Sequence, residues 1–294
     1  MEKVNEYLNA SKFQYRDTLE IVEEFNKELG EMYGRCIDIG CGPGLVTTEL
    51  ILPRLPRESV IIGADISNAM LEHAKTNYCD NLRLSFLHLD IETSNLPKEQ
   101  IERYENVVSF YCLHWCQNTR SFAYVLRLAF ENIFKLLRPG GKALIMFLAY
   151  NDGFDAYVRI HENPRYQPYM QDAHKYIPYF HHCNDSRGAL RSILEETGFN
   201  VLHCSKREKS FIYPNIQSLK RHALAVNPFI SRIPDNYKEE FEDILIREII
   251  SKKILFTNKA DKCQQEYSVL DRYHILVTYL QKPYTSDDAI NKNI

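Results

Sequence analysis

The segment Ile37-Asp38-Ile39-Gly40-Cys41-Gly42-Pro43-Gly44 combines an acid with three alternating glycines. A glycine-rich turn between a strand and a helix lets backbone approach a nucleotide-like ligand closely. Asp38 lies two residues before the first glycine. An acid there suits a ligand whose amino-acid end carries an ammonium group beside a sulfonium, and it does not suit a pyrophosphate. The dinucleotide fingerprint needs its third glycine at position 45, where Leu45 stands. A phosphate-binding loop is excluded too, because no Gly-Lys-Ser/Thr follows. Two further acids fall at useful distances. Asp65 lies 21 residues past Gly44 and could accept both ribose hydroxyls of such a ligand. Asp90 follows 25 residues later, and Asp90-Ile91 could meet the adenine amino group and its face. On residue type alone, both acids could equally cap helices or sit in solvated loops.

The elements that must place these groups alternate along the chain. Residues 12–29 have apolar residues at helical spacing: Phe13, Leu19, Val22 and Phe25. A strand at 35–39 enters the glycine turn, and a helix at 45–52 is stopped by Pro53 and Pro56. Strands follow at 60–64, 83–89, 106–111 and 142–148, separated by helices at 68–77 and 122–137. Alternation of this kind predicts an α/β fold: a doubly wound, Rossmann-like parallel sheet covered on both faces. After Ala149 the rhythm breaks into a stretch rich in aromatics and histidines. Further elements are a helix at 189–196, a strand at 199–204 that Phe211 to Tyr213 could extend or flank, helices at 215–227 and 236–254, and a final strand at 273–280. The expected organisation is one domain over 1–282, with core segments about 12–149, 189–213 and 265–281. Mostly helical cap insertions at about 150–188 and 214–264 lie over the carboxyl ends of the strands, and 283–294 form a polar, disordered tail.

Across residues 35–148 the pattern resembles the class I S-adenosylmethionine-dependent methyltransferases. The implied cofactor is S-adenosyl-L-methionine, with S-adenosyl-L-homocysteine as product. The implied cofactor set is Asp38, Gly40, Gly42, Gly44, Asp65, Ile66, Asp90, Ile91 and Ser109. The acceptor motif should sit at the end of the fourth strand. Nucleic-acid amine methyltransferases of this fold carry an Asn/Asp-Pro-Pro-Tyr-like segment there, but this chain has Ser109-Phe110-Tyr111-Cys112-Leu113-His114-Trp115. Trp115 is the single tryptophan. Its indole N–H is a donor only, suited to an acceptor oxygen, although a lone Trp is often a packing residue. His114 could act as a base or as a donor to a carboxylate.

A closer resemblance runs nearly the whole chain, to about residue 282. Phe13-Gln14-Tyr15-Arg16-Asp17, Asp65-Ile66-Ser67 with Met70, Leu87 to Glu92, Ser109 to Trp115 and Val226-Asn227-Pro228-Phe229 are similar to the insect juvenile hormone acid O-methyltransferases. The polar tail departs from that pattern. The resemblance implies esterification of a sesquiterpenoid acid, juvenile hormone acid or farnesoic acid. It also implies that Gln14 and Trp115 hold the carboxylate, with His114 assisting position or local field. A carboxylate is already ionised near neutral pH, so no base is required. An isoprenoid tail needs an apolar, capped pocket, and Phe154, Tyr157, Ile177, Phe180, Phe211 and Phe229 are available to line one. Other readings are a methyltransferase for another small lipophilic or dicarboxylic acid, and a non-catalytic regulatory protein that binds the cofactor. A basic side chain at the far end of the pocket would favour a dicarboxylate.

Composition narrows the partners. A net charge of −3, 45% hydrophobic and 26% charged residues describe an ordinary globular chain with no electrostatic reason to bind nucleic acid. The densest basic cluster, Lys206-Arg207-Glu208-Lys209, reads as a solvated surface turn. Met1 to Gln14 has no apolar signal region, and no run is long enough for a membrane span. The eight cysteines form no Cys-x-x-Cys pair, so reduced thiols in a cytoplasmic protein are expected. His181-His182-Cys183 lacks metal-ligand spacing, so no metal is expected. Oligomeric state is left open by the sequence.

Overall fold

The structure is a computed structural model and describes residues 4–78, 80–116, 122–257 and 267–284, the side chains of 122–125 excepted. Cys79, Cys263 and all but the first two residues of the expected polar tail lie outside the described residues. In chain order the elements are α1 (Val4–Ala10), α2 (Lys12–Glu24), α3 (Asn26–Gly30), β1 (Arg35–Ile39), β2 (Val60–Asp65), α4 (Asn68–Tyr78), β3 (Leu84–His88), β4 (Tyr104–Phe110) and α5 (Phe122–Leu136). Then come β5 (Leu137–Asn151), α6 (Asp155–His161), α7 (Ser186–Thr197), β6 (Asn200–Tyr213), α8 (Ile216–Ala225), α9 (Asp235–Ile250), β7 (Ile254–Thr257) and β8 (Tyr267–Gln281). No described helix is long and apolar enough to cross a membrane.

The strands form one sheet in the order β3-β2-β1-β4-β5-β8-β6, with β7 also paired to β8. The five from β3 to β5 are parallel, as expected. The sheet as a whole is mixed, because β8 runs antiparallel to β5, β6 and β7. Side chains alternate across it with period two. Cys36, Val108, Leu144 and Met146 enter one apolar cluster, and Ile37, Val107, Ala143 and Ile145 the other. The second cluster is closed by α5 and α7 through Phe130, Ile133, Leu190 and Leu194. The first is closed by α2 and, beyond the strand ends, by Tyr157, Leu219, Phe241 and Leu245 of α6, α8 and α9.

Several local expectations are corrected. The helix expected at 45–52 is a short, wide π-turn, Thr47–Ile51, followed by a 3₁₀ turn, Leu52–Arg54. The helix at 12–29 is broken at Phe25 between α2 and α3. Two helices, α1 and α6, and the short strand β7 carried too little periodicity to be read. Phe211 to Tyr213 extend β6, which therefore runs 14 residues. The basic cluster at 206–209 lies in the middle of that strand, paired with residues 273–276 of β8. Arg207 is paired there with Glu24, and Lys209 with Glu20. The strand tolerates these charges because it forms the sheet edge, where charge also discourages pairing with another chain.

Candidate functional site

Asp38 sits one strand step from the glycine turn with 2% exposure. Its carboxylate accepts the Thr47 hydroxyl at 2.6 Å, so the π-turn supplies the acid's partner. Burial pushes its pKa up to about 7; the Thr47 bond opposes that shift and the nearby Asp65 adds to it. A buried acid without a countercharge is what a cationic ligand would relieve. Gly40, at φ +76°, has no room for a side chain: a Cβ would stand 2.3 Å from Cys112 Sγ. The turn is tied to the end of β2, where Asp65 accepts the Gly42 N–H at 2.9 Å and the Ser67 N–H at 2.8 Å. Beside it, Ile66 is 58% exposed.

Asp38, Gly40 and Gly42 line a cleft of about 510 Å³ including its mouth. Gly44 closes the turn by accepting the Thr48 amide and hydroxyl on its carbonyl. Gly44, Asp65, Ile66, Asp90, Ile91 and Ser109 lie outside that lining. Asp90 accepts the Glu92 N–H at 2.9 Å, and the loop that follows is fastened to α5 by Asn132, whose amide donates to the carbonyls of Ile91 and Thr93 at 2.8 Å. Ile91 is buried in the apolar cluster under α5. The Ser109 hydroxyl is fully buried and donates to the Ile39 carbonyl at 2.8 Å, which fixes β4 against β1.

A second cleft, about 760 Å³ including its mouth, opens at the carboxyl ends of β4 and β5. Gln14, His114 and Trp115 all line it. The rings of His114 and Trp115 lie 4.9 Å apart, and Phe154 meets Trp115 edge-on at 6.1 Å. Burial pushes the His114 pKa down to about 3, so the imidazole is neutral at physiological pH and offers no positive charge to a carboxylate. Of the aromatics expected to line an apolar pocket, Phe154 and Tyr157 do so; Phe229 is buried behind Tyr157, 5.2 Å away between ring centres. Phe180 packs under α5 in the opposite cluster.

The two clefts share Tyr7, Gln14 and Tyr111. Gln14 is 8% exposed, and its Oε1 is buried without a hydrogen-bond partner among the described residues. The helix carrying it is locked one turn later. Asp17, fully buried, accepts the hydroxyls of Tyr111 at 2.7 Å and Tyr273 at 2.6 Å, and Arg16 at 2.8 Å. Tyr111 adopts φ +54°, a strained value for a bulky residue, which the anchored hydroxyl and its N–H bond to the Met146 carbonyl hold in place. Asp17→Ala leaves the buried hydroxyls of Tyr111 and Tyr273 without their acceptor and removes one partner of the partly exposed Arg16, and is expected to cost about 2–4 kcal/mol in urea unfolding. Tyr111→Phe removes one bond, for about 1 kcal/mol. Equal small losses would remove Asp17 from this anchoring role.

Sequence reasoning missed Tyr7, on an unanticipated helix, and Thr47, whose only signal was a hydroxyl soon after the glycine turn. Tyr111 and Asp17 lie within the family-like motifs, but residue type alone assigns them no role. No metal was expected, yet Asp155, His181 and His182 bring one ligand atom each within 4.8 Å. The His181–Asp155 hydrogen bond of 2.7 Å already accounts for two of the three, and His182 is exposed.

Residues 11–204 match the methyltransferase-domain family. The chain is 30% identical to juvenile hormone acid O-methyltransferase of Drosophila melanogaster, over 96% of this chain and 93% of that protein. The chain belongs to the juvenile hormone acid O-methyltransferase family. Its Bombyx mori relative of the same name is 28% identical over 96% of this chain and 98% of its own length. A Bacillus halodurans crystal structure described as a methyltransferase superposes with a TM-score of 0.53 at 16% identity, covering 90% of this chain and 99% of that one, and so shares the fold. The protein is therefore an S-adenosylmethionine-dependent O-methyltransferase of class I architecture, and the buried, uncompensated Asp38 beside the Gly40 cradle fits its cationic cofactor.

Proposed function

We propose that this methyltransferase esterifies the carboxylate of a sesquiterpenoid acid, juvenile hormone acid or farnesoic acid. The observation that carries the reading is the common wall of the two clefts, where the Gln14 amide stands between the cofactor cleft and the cleft that Trp115 lines. When bound, S-adenosyl-L-methionine supplies an electrophilic methyl group on a sulfonium. Asp38 holds its ammonium end, Asp65 the ribose hydroxyls through lone pairs left by Gly42 and Ser67, and Ile66, Asp90 and Ile91 border the adenine. Gly40, Gly42 and Gly44 give the backbone its close approach, and Ser109 keeps β4 in register beneath it.

On the acceptor side, Gln14 and Trp115 each donate an N–H to the carboxylate and aim one oxygen toward the shared wall. Neutral His114 packs against Trp115 and sets its orientation. No proton has to move, so the site needs no base. Water would be kept out by the cap that we assign to residues 150–188 and 214–264, of which 258–264 lie outside the described residues, and attack of an anion on a sulfonium would gain from that exclusion. The terpenoid acid is supported by the two insect relatives, whose names specify juvenile hormone acid. Buried free thiols at Cys36, Cys41, Cys116 and Cys204 support a cytoplasmic location.

Labelled methyl transfer to a panel of farnesoic acid, juvenile hormone acid, saturated fatty acids and a dicarboxylate tests the reading. Ester formation on the terpenoid acids is expected. No methyl ester from any acid would sink it.

A further inference from the structure

The acceptor cleft is apolar along most of its length, walled by Phe13, Leu148, Phe154, Tyr157, Leu219 and Ile249. It also contains a group that the carboxylate reading leaves unused. Asn151, Lys253 and Asp271 line it, and none of the three lines the cofactor cleft. They come from separate elements: Asn151 ends β5, Lys253 lies between α9 and β7, and Asp271 is on β8. The Lys253 side chain is 1% exposed and is paired with both Asp152 and Asp271. Asn151 donates to both Asp271 oxygens at 3.2 and 3.1 Å. A buried ionic group costs several kcal/mol to desolvate, and hydrophobic side chains of the same volume often serve stability as well. Its position on a ligand cleft gives it another use.

The hydrogen-bond inventory defines that use. The Lys253 ammonium has three protons. Two go to Asp152 and Asp271, while the third reaches Asn151 Oδ1 at 3.3 Å, an oxygen that already accepts the Gly153 N–H at 2.8 Å. That third proton is the weakest-held donor in the group. Asp271 Oδ2 accepts only Asn151 among the described residues and keeps a free lone pair. The group thus offers one donor and one acceptor. Its formal charge, one cation against two carboxylates, is negative.

We infer that Lys253, Asp271 and Asn151 form a subsite for a neutral oxygen on the substrate's chain, remote from the carboxylate being methylated. The inference rests on the carboxyl-methylation reading above and names the substrate more closely. An epoxide or ether oxygen takes the Lys253 proton. A hydroxyl takes it and also donates to Asp271. A second carboxylate is repelled, because Asp152 and Asp271 outnumber the lysine. A basic residue does stand in the pocket, but its two partners reverse the preference for a dicarboxylate that it would otherwise create.

The test uses the full chain, S-adenosylmethionine and four acids of one chain length. Their far ends are hydrocarbon, epoxide, hydroxyl and carboxylate. The epoxide and hydroxyl acids are expected to show kcat/KM about tenfold above the hydrocarbon acid, the difference lying in KM because the contact forms equally in ground and transition states. The dicarboxylate should fall below the hydrocarbon acid. Removing Lys253 alone leaves two buried carboxylates and threatens folding. The variant for comparison is therefore the neutral triple substitution Lys253→Met, Asp152→Asn, Asp271→Asn. In it the preference for an oxygenated end should shrink to within about twofold. Equal turnover of oxygenated and hydrocarbon acids by the unaltered protein overturns the subsite while leaving carboxyl methylation standing. So does a best rate on the dicarboxylate, or a triple variant that keeps the full preference. No ester from any of the four overturns both.

Discussion

Asp38→Asn is expected to raise the dissociation constant for S-adenosylmethionine by about ten- to a hundredfold near neutral pH, the range for a hydrogen bond to a charged group. The cause is specific. The carboxylate is buried at the end of β1, has the Thr47 hydroxyl as its only side-chain hydrogen-bond partner among the described residues, and in the free protein has its pKa pushed up to about 7 by burial. An ammonium group restores the charge that burial disfavours, so binding and deprotonation are coupled. Below about pH 7 the free protein must release a proton to bind, and affinity falls toward a tenfold loss per pH unit. The ligand's own amino group titrates near 7.7–8.0, which sets the alkaline limb. In Asp38→Asn the acid limb should vanish. His114 and His222 do not confuse the profile, because burial pushes their pKa values down to about 3 and about 4.

The sign for stability runs the other way in the ligand-free protein. A carboxyl whose folded pKa is raised contributes stability that is fully present below its unfolded value and is lost as pH rises through the folded one. For Asp38 that window runs from the ordinary value of 3.8 to about 7. The increase in melting temperature on adding cofactor should therefore be larger at about pH 7.5 than at about pH 5.5. Isothermal titration and thermal shift across that range decide it. An affinity independent of pH in both proteins would remove Asp38 from ammonium binding.

The glycine turn and the alternating core were legible because their signals are local. Asp38 to Gly44 fit one backbone geometry, and strands β1 to β5 carry runs of apolar residues bounded by turns. What escaped depends on contacts distant in sequence. The direction of β8 is set by pairing with β5 and β6, and nothing in 267–281 announces an antiparallel strand. The residues at 206–209 look like a surface turn because four charged side chains adjoin, yet an edge strand exposes alternate residues and accepts them. Lys253 was part of a helix end in the sequence. Only the fold sets it against Asp152 and Asp271, 101 and 18 residues away. Gln14 was found through a family motif, but its place on the seam between the clefts comes from the Asp17 lock to Tyr111 and Tyr273, which lie 94 and 256 residues from Asp17.

Trp115→Phe is expected to lower kcat by about tenfold to a hundredfold, while cofactor affinity stays within about twofold. Phenylalanine keeps an aromatic surface against His114 and Phe154 but loses the indole N–H, the one donor the side chain has. The carboxylate would then be oriented by Gln14 alone, and a misaligned nucleophile loses the gain from proximity even when it stays bound. Asp65→Ala should show the opposite pattern, because its carboxylate accepts the Gly42 amide of the glycine turn and the Ser67 amide beyond β2, neither of which lines the acceptor cleft. Gln14→Ala belongs with Trp115→Phe on turnover. If each removes one donor to the same carboxylate, the double variant should fall short of the product of the single losses, because neighbouring groups acting on one atom are not independent. Strictly multiplicative losses would mean that the two side chains hold different parts of the substrate. Equal loss of cofactor affinity in Trp115→Phe and Asp65→Ala would make Trp115 a packing residue of the cleft wall, leaving Gln14 as the sole clamp.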